Sequence, residues 1–199
     1  MRALALVCTL KPSPAESSSA VMADQILDAL AEHGVERDVA RVVDYDVRPG
    51  VAVDMGDGDQ WPQLRERLLA ADVLAFVTPT WVGHMSSVAQ RALERINAES
   101  GETDEAGRPT TYGKVAVVGV VGNEDGAHKI VADLFQGLND TGFTVPAQGA
   151  TYWNSEAMNP RDYKDLDRTP DAVAATTSAL AANACHLARL LQQHQYPGS

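Results

Sequence analysis

Three serines in a row, Ser17, Ser18 and Ser19, stand where an apolar run at residues 2–8 gives way to a helical pattern. The first N–H groups of a helix lack intrahelical partners, and the positive end of the helix dipole adds to their attraction for phosphate. Serine hydroxyls would supply further donors at the same point. The alternative is that one serine caps the helix. Capping explains one of the three hydroxyls and leaves the other two unexplained. We therefore expect a phosphate contact here.

The same segment lacks the glycine fingerprint of dinucleotide-binding proteins and the lysine-containing Walker A loop. Cys8 suggests a different chemistry, because low-molecular-weight tyrosine phosphatases place a nucleophilic cysteine at this point with an arginine six positions later. Pro14 occupies that position, and the loop contains no arginine to hold a phosphate with a bidentate contact. We interpret Cys8 as a small buried residue. A phospho-receiver domain is also excluded, because the first strand does not end in acidic residues.

A second candidate loop, TPTWVGHMSS at residues 78–87, follows another apolar run. A flat aromatic ligand could lie against Trp81, and the backbone N–H groups around Gly83 could contact the carbonyls of a heterocycle. His84 is placed to donate a hydrogen bond to such a ring or to an acceptor. The alternative is that Trp81 belongs to the core and Ser86 caps the next helix.

A third loop, VGNEDGAHK at residues 121–129, contains a polar turn between Gly122 and Gly126. Asn123 and Asp125 tolerate the unusual backbone conformations that such turns need, so the backbone can approach a flat ring closely. The alternative is a simple turn from strand to helix that Asp125 caps. Together the three loops predict one cleft for a mononucleotide with a planar head.

Alternating apolar runs and helical patterns position these loops. Short apolar runs predict five buried strands, at residues 2–8, 35–44, 72–79, 114–122 and 143–153. Helical spacing of apolar residues predicts helices between them and a last helix at about 170–192. This alternation predicts an α/β doubly wound parallel sheet in three layers, as one domain with a polar, exposed insertion at about 98–113. Ligands bind beyond the carboxyl ends of such strands.

Composition limits the functional classes. The net charge is −11, with no cluster of lysine and arginine, which disfavours nucleic acid as a partner. The apolar runs are far shorter than the roughly 20 residues that cross a bilayer, and the N-terminus is typical of a strand rather than of a signal peptide. Two cysteines, Cys8 and Cys185, make no disulfide framework and favour a reducing cytoplasm. No His/Cys pattern indicates a metal site.

Over nearly its whole length the chain resembles the flavodoxin-like NAD(P)H-dependent FMN reductases and quinone reductases. The resemblance rests on TLKPSPAESSS, TPTWVGHMSSVAQRALERI and VVGNEDGAH. The middle segment is the most specific, because family members share a Pro–small or aliphatic–aromatic–x–Gly loop followed by a serine at a helix start. The resemblance implies a five-stranded sheet in the order 2-1-3-4-5 and a homodimer or homotetramer.

The family also implies roles for particular residues. FMN would carry hydride from NADH or NADPH to a quinone or similar small acceptor, and His84 is the candidate catalytic residue. The residues expected to bind FMN are Thr9, Lys11, Ser17, Ser18, Ser19, Pro79, Thr80, Trp81, Val82, Gly83, Gly122, Asn123, Glu124, Asp125 and Gly126. Family members often place an arginine or lysine near the phosphate loop, and here the loop offers only Lys11.

Two further readings stay open. The chain could be a flavodoxin-type FMN electron carrier, for which an acidic surface would serve docking, or a flavodoxin-fold interaction protein that binds no flavin. Tyr152 and Trp153 are candidates for the wall of the acceptor site, and core packing is the alternative for both.

Overall fold

Five parallel strands form the centre of the computed structural model, which describes residues 1–156 and 159–198. The strands are β1 Arg2–Val7, β2 Glu36–Arg41, β3 Val73–Trp81, β4 His84–Met85, β5 Val115–Gly122 and β6 Ala150–Asn154. The sheet order is β2-β1-β3-β5-β6, and the short β4 pairs antiparallel with the end of β3. Without β4 this is the order 2-1-3-4-5, so the flavodoxin-like prediction is confirmed.

Helices cover both faces of the sheet and separate two hydrophobic cores. The helices are α1 Ser18–Ala31, α2 Trp61–Ala70, α3 Ser87–Ile96, α4 Ala127–Asp140 and α5 Asp171–Gln193. Side chains of α1 and α5 pack on one face, against alternate strand residues such as Ala5 and Val117. Those of α2, α3 and α4 pack on the other face, against Leu6 and Val118. The central strands are buried on both faces, which explains why they appear in the sequence as continuous apolar runs.

Two predicted strand boundaries are wrong. The second strand ends at Arg41, and residues 42–44 form a short 3₁₀ turn. The fifth strand was expected from residue 143, but β6 begins at Ala150. In the intervening segment only Thr144 makes a bridge to β5, and Gln148 has a left-handed φ of 54°. Pro146 lacks an N–H for a ladder, so the apolar residues before it do not extend the strand.

The predicted loop at 78–87 is in part a hairpin, which is a further correction. Strand β3 continues to Trp81, turns at Val82 and Gly83, and returns as β4. Both turn residues have positive φ, 52° and 70°, as in the tight turns that fit a twisted hairpin. Such turns usually contain Asn, Asp or Gly first, so a valine gave no hairpin signal.

Two loops around α3 are tied down by charged side chains. Arg95 and Asp59 form an ion pair with both side chains 0% exposed, and the Arg95 guanidinium also donates to the carbonyl of Ala52. Glu99, only 1% exposed, accepts two hydrogen bonds from Arg65 and one from Thr110. The insertion at about 98–113 is therefore exposed in part but anchored at its base.

In the described ranges, no helix combines the length and the apolar character needed to cross a membrane.

Candidate functional site

A cleft of about 450 Å³ opens beyond the carboxyl ends of β1, β3 and β5, a volume within the usual range for small-molecule sites. The loops after these strands meet there, as the switch-point rule predicts. The lining includes these residues from the predicted set: Thr9, Lys11, Ser17, Ser18, Ser19, Pro79, Thr80, Trp81, Gly122, Asn123 and Glu124. Within the described residues, the lining does not include Val82, Gly83, His84, Asp125 or Gly126.

The three serines of the first loop have different surroundings. Ser17 is the N-cap of α1, because its Oγ accepts the N–H of Ala20 at 3.4 Å. The capping alternative is therefore right for this residue. Ser18 Oγ accepts the backbone N–H of Lys164 at 3.3 Å. Ser19 is 2% exposed and lines the cleft at the helix start, so capping does not explain the other two serines.

Two charged side chains that do not line the cleft hold the first loop in place. The Arg41 guanidinium donates to the carbonyls of Lys11 and Ala15, at 3.2 and 2.7 Å. The Asp44 carboxylate accepts the N–H and the Oγ–H of Ser13, at 2.7 and 2.6 Å. These contacts fix the loop backbone, so its donors at the helix start have fixed positions before a ligand arrives.

Trp81 stands at the mouth of the cleft with 53% of its surface exposed. The core alternative for this tryptophan is therefore wrong. Val82 donates its N–H to Glu124 Oε1 at 2.8 Å, and its carbonyl lies 2.7 Å from His84 Nδ1. His84 thus supports the turn from outside the cleft lining, and its catalytic role stays a prediction.

Ser86 connects the second loop with the first. Its Oγ accepts the N–H of Ala89 at 3.1 Å and so caps α3, as the capping alternative predicted. The same hydroxyl donates to the carbonyl of Cys8 at 2.6 Å. Cys8 itself is fully buried, and burial raises the pKa of its thiol far above the usual range. The predicted buried role of Cys8 is confirmed, since a thiol in this state is a poor nucleophile.

Glycines bring the third loop against the second. A Cβ at Gly126, where φ is 139°, would lie 2.8 Å from the carbonyl oxygen of Gly83. A Cβ at Gly122 would lie 2.7 Å from Cβ of Thr80. Gly126 also donates its N–H to Asp125 Oδ1 at 2.7 Å. Neither glycine can carry a side chain in this arrangement, so their role is to allow two loops to touch.

One wall of the cleft was missed by sequence reasoning. The residues concerned are Glu16, Trp153, Asn159, Asp162, Tyr163 and Lys164, of which only Trp153 had been considered. Most of them belong to the polar segment after β6, where the sequence shows no periodicity. The available signal was a single aromatic residue in this polar stretch, Tyr163, which the structure buries to 3% exposure. Ala157 and Met158 of the predicted polar loop lie outside the described residues.

This missed wall is attached to the rest of the site by side-chain contacts. The Tyr163 hydroxyl donates to Gln25 Oε1 at 2.6 Å, and its ring centroid lies 5.4 Å from that of Trp153. The Asn123 amide donates to the carbonyl of Asn159 at 2.8 Å. The cleft therefore has a wall formed from the chain between β6 and α5.

Together, the sheet order and the cleft beyond its strand ends define a flavodoxin-like protein. The model of the family described as NADPH-dependent FMN reductase matches residues 1–158. The chain belongs to this family, which confirms the resemblance, the expected oxidoreductase class and the expected FMN and NAD(P)H.

Individual relatives add detail. The chain is 31% identical to 8-demethyl-8-aminoriboflavin-5'-phosphate synthase of Streptomyces davaonensis, over 98% of this chain and 80% of that protein. It is 33% identical to a Mycobacterium bovis protein named divalent metal cation transporter MntH, over 96% of this chain. The chain spans only 29% of that second protein.

Among solved structures, RosB with bound 8-demethyl-8-formylriboflavin-5'-phosphate superposes with a TM-score of 0.88 at 30% identity. That match covers 98% of this chain and 82% of the RosB chain.

Proposed function

We propose that this protein binds FMN in the cleft and passes reducing equivalents from NAD(P)H to a quinone or similar small acceptor. The observation that carries the proposal is the convergence of three loops on one cleft, with a serine-rich helix start and an exposed Trp81 in the same lining. A mononucleotide with a planar head matches these two features, because a phosphate suits the helix start and a ring suits an aromatic surface.

The residues present fit FMN. Thr80 is 5% exposed and lines the cleft, and its Oγ1 has no hydrogen-bond partner among the described residues. A buried hydroxyl without a partner is costly, and a polar group of the ligand would satisfy it. Gly122 lies so close to Thr80 that a Cβ there would come within 2.9 Å of this hydroxyl oxygen.

In this proposal each wall has a separate task. The helix start at Ser18 and Ser19 holds the phosphate, while Trp81 contacts the ring. Glu124 keeps the hairpin backbone in place through the N–H of Val82. Bound FMN would supply the redox chemistry, accepting hydride from the nicotinamide and giving it to the acceptor. The chain's part is to bind, orient and partly enclose the flavin.

A spectroscopic experiment tests the proposal. The purified protein is saturated with FMN, and its visible spectrum is recorded under anaerobic conditions before and after NADH or NADPH. We expect one of the two nucleotides to bleach the bound flavin, and a quinone to restore its absorbance. Bound FMN that neither nucleotide bleaches would instead favour the electron carrier. Failure to bind FMN would favour the remaining alternative, a non-catalytic interaction protein with a flavodoxin fold.

A second candidate function is modification of the flavin itself. The 31% identity to 8-demethyl-8-aminoriboflavin-5'-phosphate synthase and the flavin phosphate in the RosB structure favour it, since both involve the flavin as the reacting molecule. In that case FMN would be consumed rather than retained. Mass analysis of FMN after incubation with the protein, with and without NAD(P)H, separates the two functions.

Assembly and location are proposals of the same kind. We propose a homodimer or homotetramer, which the family resemblance supports. We also propose a cytoplasmic location, which the two unpaired cysteines, Cys8 and Cys185, support. Light scattering of the purified protein gives the mass of the assembly, and a mass near 21.2 kDa would contradict an oligomer.

A further inference from the structure

We infer that Lys164 is the cation that recognises the phosphate of the ligand, and that Glu16 competes with this phosphate for the Lys164 ammonium group. The inference rests on the proposed function, since it assumes a flavin mononucleotide in the cleft. Lys164 lies beyond residue 158, where the family match ends. Sequence reasoning offered only Lys11 as a cation, and the structure places a second lysine in the same lining.

Lys164 lies next to the start of α1. The backbone N–H of Lys164 donates to Ser18 Oγ at 3.3 Å, so the lysine lies beside the serine loop at the start of α1. Lys164 lines the cleft, and its side chain is 19% exposed, so it is partly shielded from bulk water. A partly shielded cation interacts more strongly with an anion than a fully solvated one.

Hydrogen bonds to neighbouring elements hold the wall that contains Lys164. The Asn123 amide reaches the carbonyl of Asn159 at 2.8 Å and Asp162 Oδ1 at 3.3 Å. Tyr163, next to Lys164 in the chain, is 3% exposed and is bonded through its hydroxyl to Gln25 of α1. The backbone at Lys164 is therefore held against both the first and the third loop, so little freedom is lost when a ligand binds.

Two carboxylates lie close to the ammonium group of Lys164. Lys164 Nζ lies 2.6 Å from Asp165 Oδ1 and 3.6 Å from Glu16 Oε2. The hydrogen bond to Asp165 raises the pKa of Lys164, so the ammonium form is present at neutral pH. Glu16 is a weak partner, because its side chain is 86% exposed and solvent screens such a contact.

A phosphate with nearly two negative charges is the stronger partner for the same ammonium group. Arg41 does not belong to the cleft lining, and its guanidinium donates instead to the carbonyls of Lys11 and Ala15. Glu16 also lines the cleft, so its carboxylate competes weakly for the Lys164 ammonium group and repels an arriving phosphate. Removal of the Glu16 charge should therefore strengthen phosphate binding, whereas loss of the Lys164 charge should weaken it.

Equilibrium titrations with FMN and riboflavin test the inference, because the two ligands differ only in the phosphate. For Lys164→Gln we expect the Kd for FMN to rise about tenfold, with the Kd for riboflavin unchanged, as for loss of one charge-assisted hydrogen bond. For Glu16→Gln we expect tighter FMN binding and unchanged riboflavin binding. Lys164→Arg should keep the preference for FMN, and circular dichroism checks that each variant is folded.

The outcomes separate this inference from the proposed function. If the native protein binds FMN but Lys164→Gln leaves the ratio of the two dissociation constants unchanged, the inference is overturned and the proposed function stands. Equal weakening of both ligands also overturns it, since that result indicates a structural role. Native protein that fails to bind FMN overturns both. Should Lys164→Gln not fold, an unchanged Kd for FMN in Glu16→Gln overturns the competition between Glu16 and phosphate.

Discussion

Glu124 holds Val82 in a left-handed turn: its Oε1 accepts the backbone N–H of Val82 at 2.8 Å, and φ of Val82 is 52°. A β-branched residue in this conformation is strained, and such strain persists where the surroundings over-determine it. The contact joins the third loop to the tip of the hairpin that carries Trp81. The mouth of the cleft is therefore set by a carboxylate from the loop after β5.

Replacement of Val82 by asparagine should stabilise the protein. The Val82 side chain is 84% exposed, so its replacement removes little buried apolar surface. Asparagine also tolerates the left-handed conformation much better than valine does. We expect the free energy of unfolding in urea to rise by about 0.5–1 kcal/mol. The matched control is Val51→Asn, at another exposed valine with 62% exposure, which should change little. A less stable Val82→Asn protein would show that the turn is not strained.

Gly126→Ala should weaken FMN binding as well as stability. The new Cβ would lie 2.8 Å from the carbonyl oxygen of Gly83, at a residue with φ of 139°, so the second and third loops would have to separate. The control is Gly101→Ala, where no atom lies within 4 Å of the new Cβ. Thermal unfolding and FMN titration measure both effects. Normal FMN affinity in Gly126→Ala would mean that the contact between these loops does not shape the site.

The buried pair of Arg95 and Asp59 should be costly to break. Arg95→Met leaves an unpaired carboxylate at a position that is 0% exposed, and we expect a loss of about 3–5 kcal/mol in the free energy of unfolding. The exposed pair of Lys129 and Asp133 provides the control, because Lys129→Met should cost less than about 1 kcal/mol. Equal losses in the two variants would contradict this account of the buried pair.

The same aspartate should make stability depend on pH. Burial alone would raise the pKa of Asp59, but hydrogen bonds from Arg95 and from the N–H groups of Met55 and Trp61 outweigh it and hold the pKa below 3.8. The carboxylate therefore stabilises the folded protein above that pH, and this contribution is lost as the pH falls through the lowered folded-state pKa.

Urea unfolding at about pH 5 and about pH 3 measures this effect. We expect the free energy of unfolding to fall less between these two pH values in Asp59→Asn than in the native protein. The same fall in both proteins would show that Asp59 is not responsible.

The two roles of neighbouring serines can also be separated. Ser17→Ala removes the N-cap of α1 and should cost about 1 kcal/mol of stability. Ser18→Ala leaves the cap intact but removes the acceptor of the Lys164 N–H, so it should weaken FMN binding more than it weakens the fold. Unchanged affinity in Ser18→Ala would remove this serine from the phosphate site.

The sequence predicts most of the fold and part of the site. The central strands are readable because Ala3–Val7 and Val115–Val121 are apolar without interruption. Since strand ends set the place of a ligand site in this kind of sheet, the three loops could be found from the strands alone. The arrangement of the loops as one cleft follows from topology and needs no knowledge of side-chain contacts.

The rest depends on tertiary contacts that leave no local pattern. A valine at the tip of the hairpin gives no sign of a turn, because the strained conformation there is held by a hydrogen bond to Glu124, 42 residues away. The wall at residues 159–164 is polar and aperiodic, and its place is set by the contact of Tyr163 with Gln25 across 138 residues. Pairings over such distances cannot be inferred from spacing.

The central claim is that the cleft between the three loops holds FMN. Isothermal titration of the apoprotein with FMN, with the same titration of Gly126→Ala as a comparison, tests it most directly. We predict saturation at one FMN per chain for the native protein, with clearly weaker binding to the variant. A native protein that takes up no FMN, or that binds FMN no better than the variant does, would contradict the account.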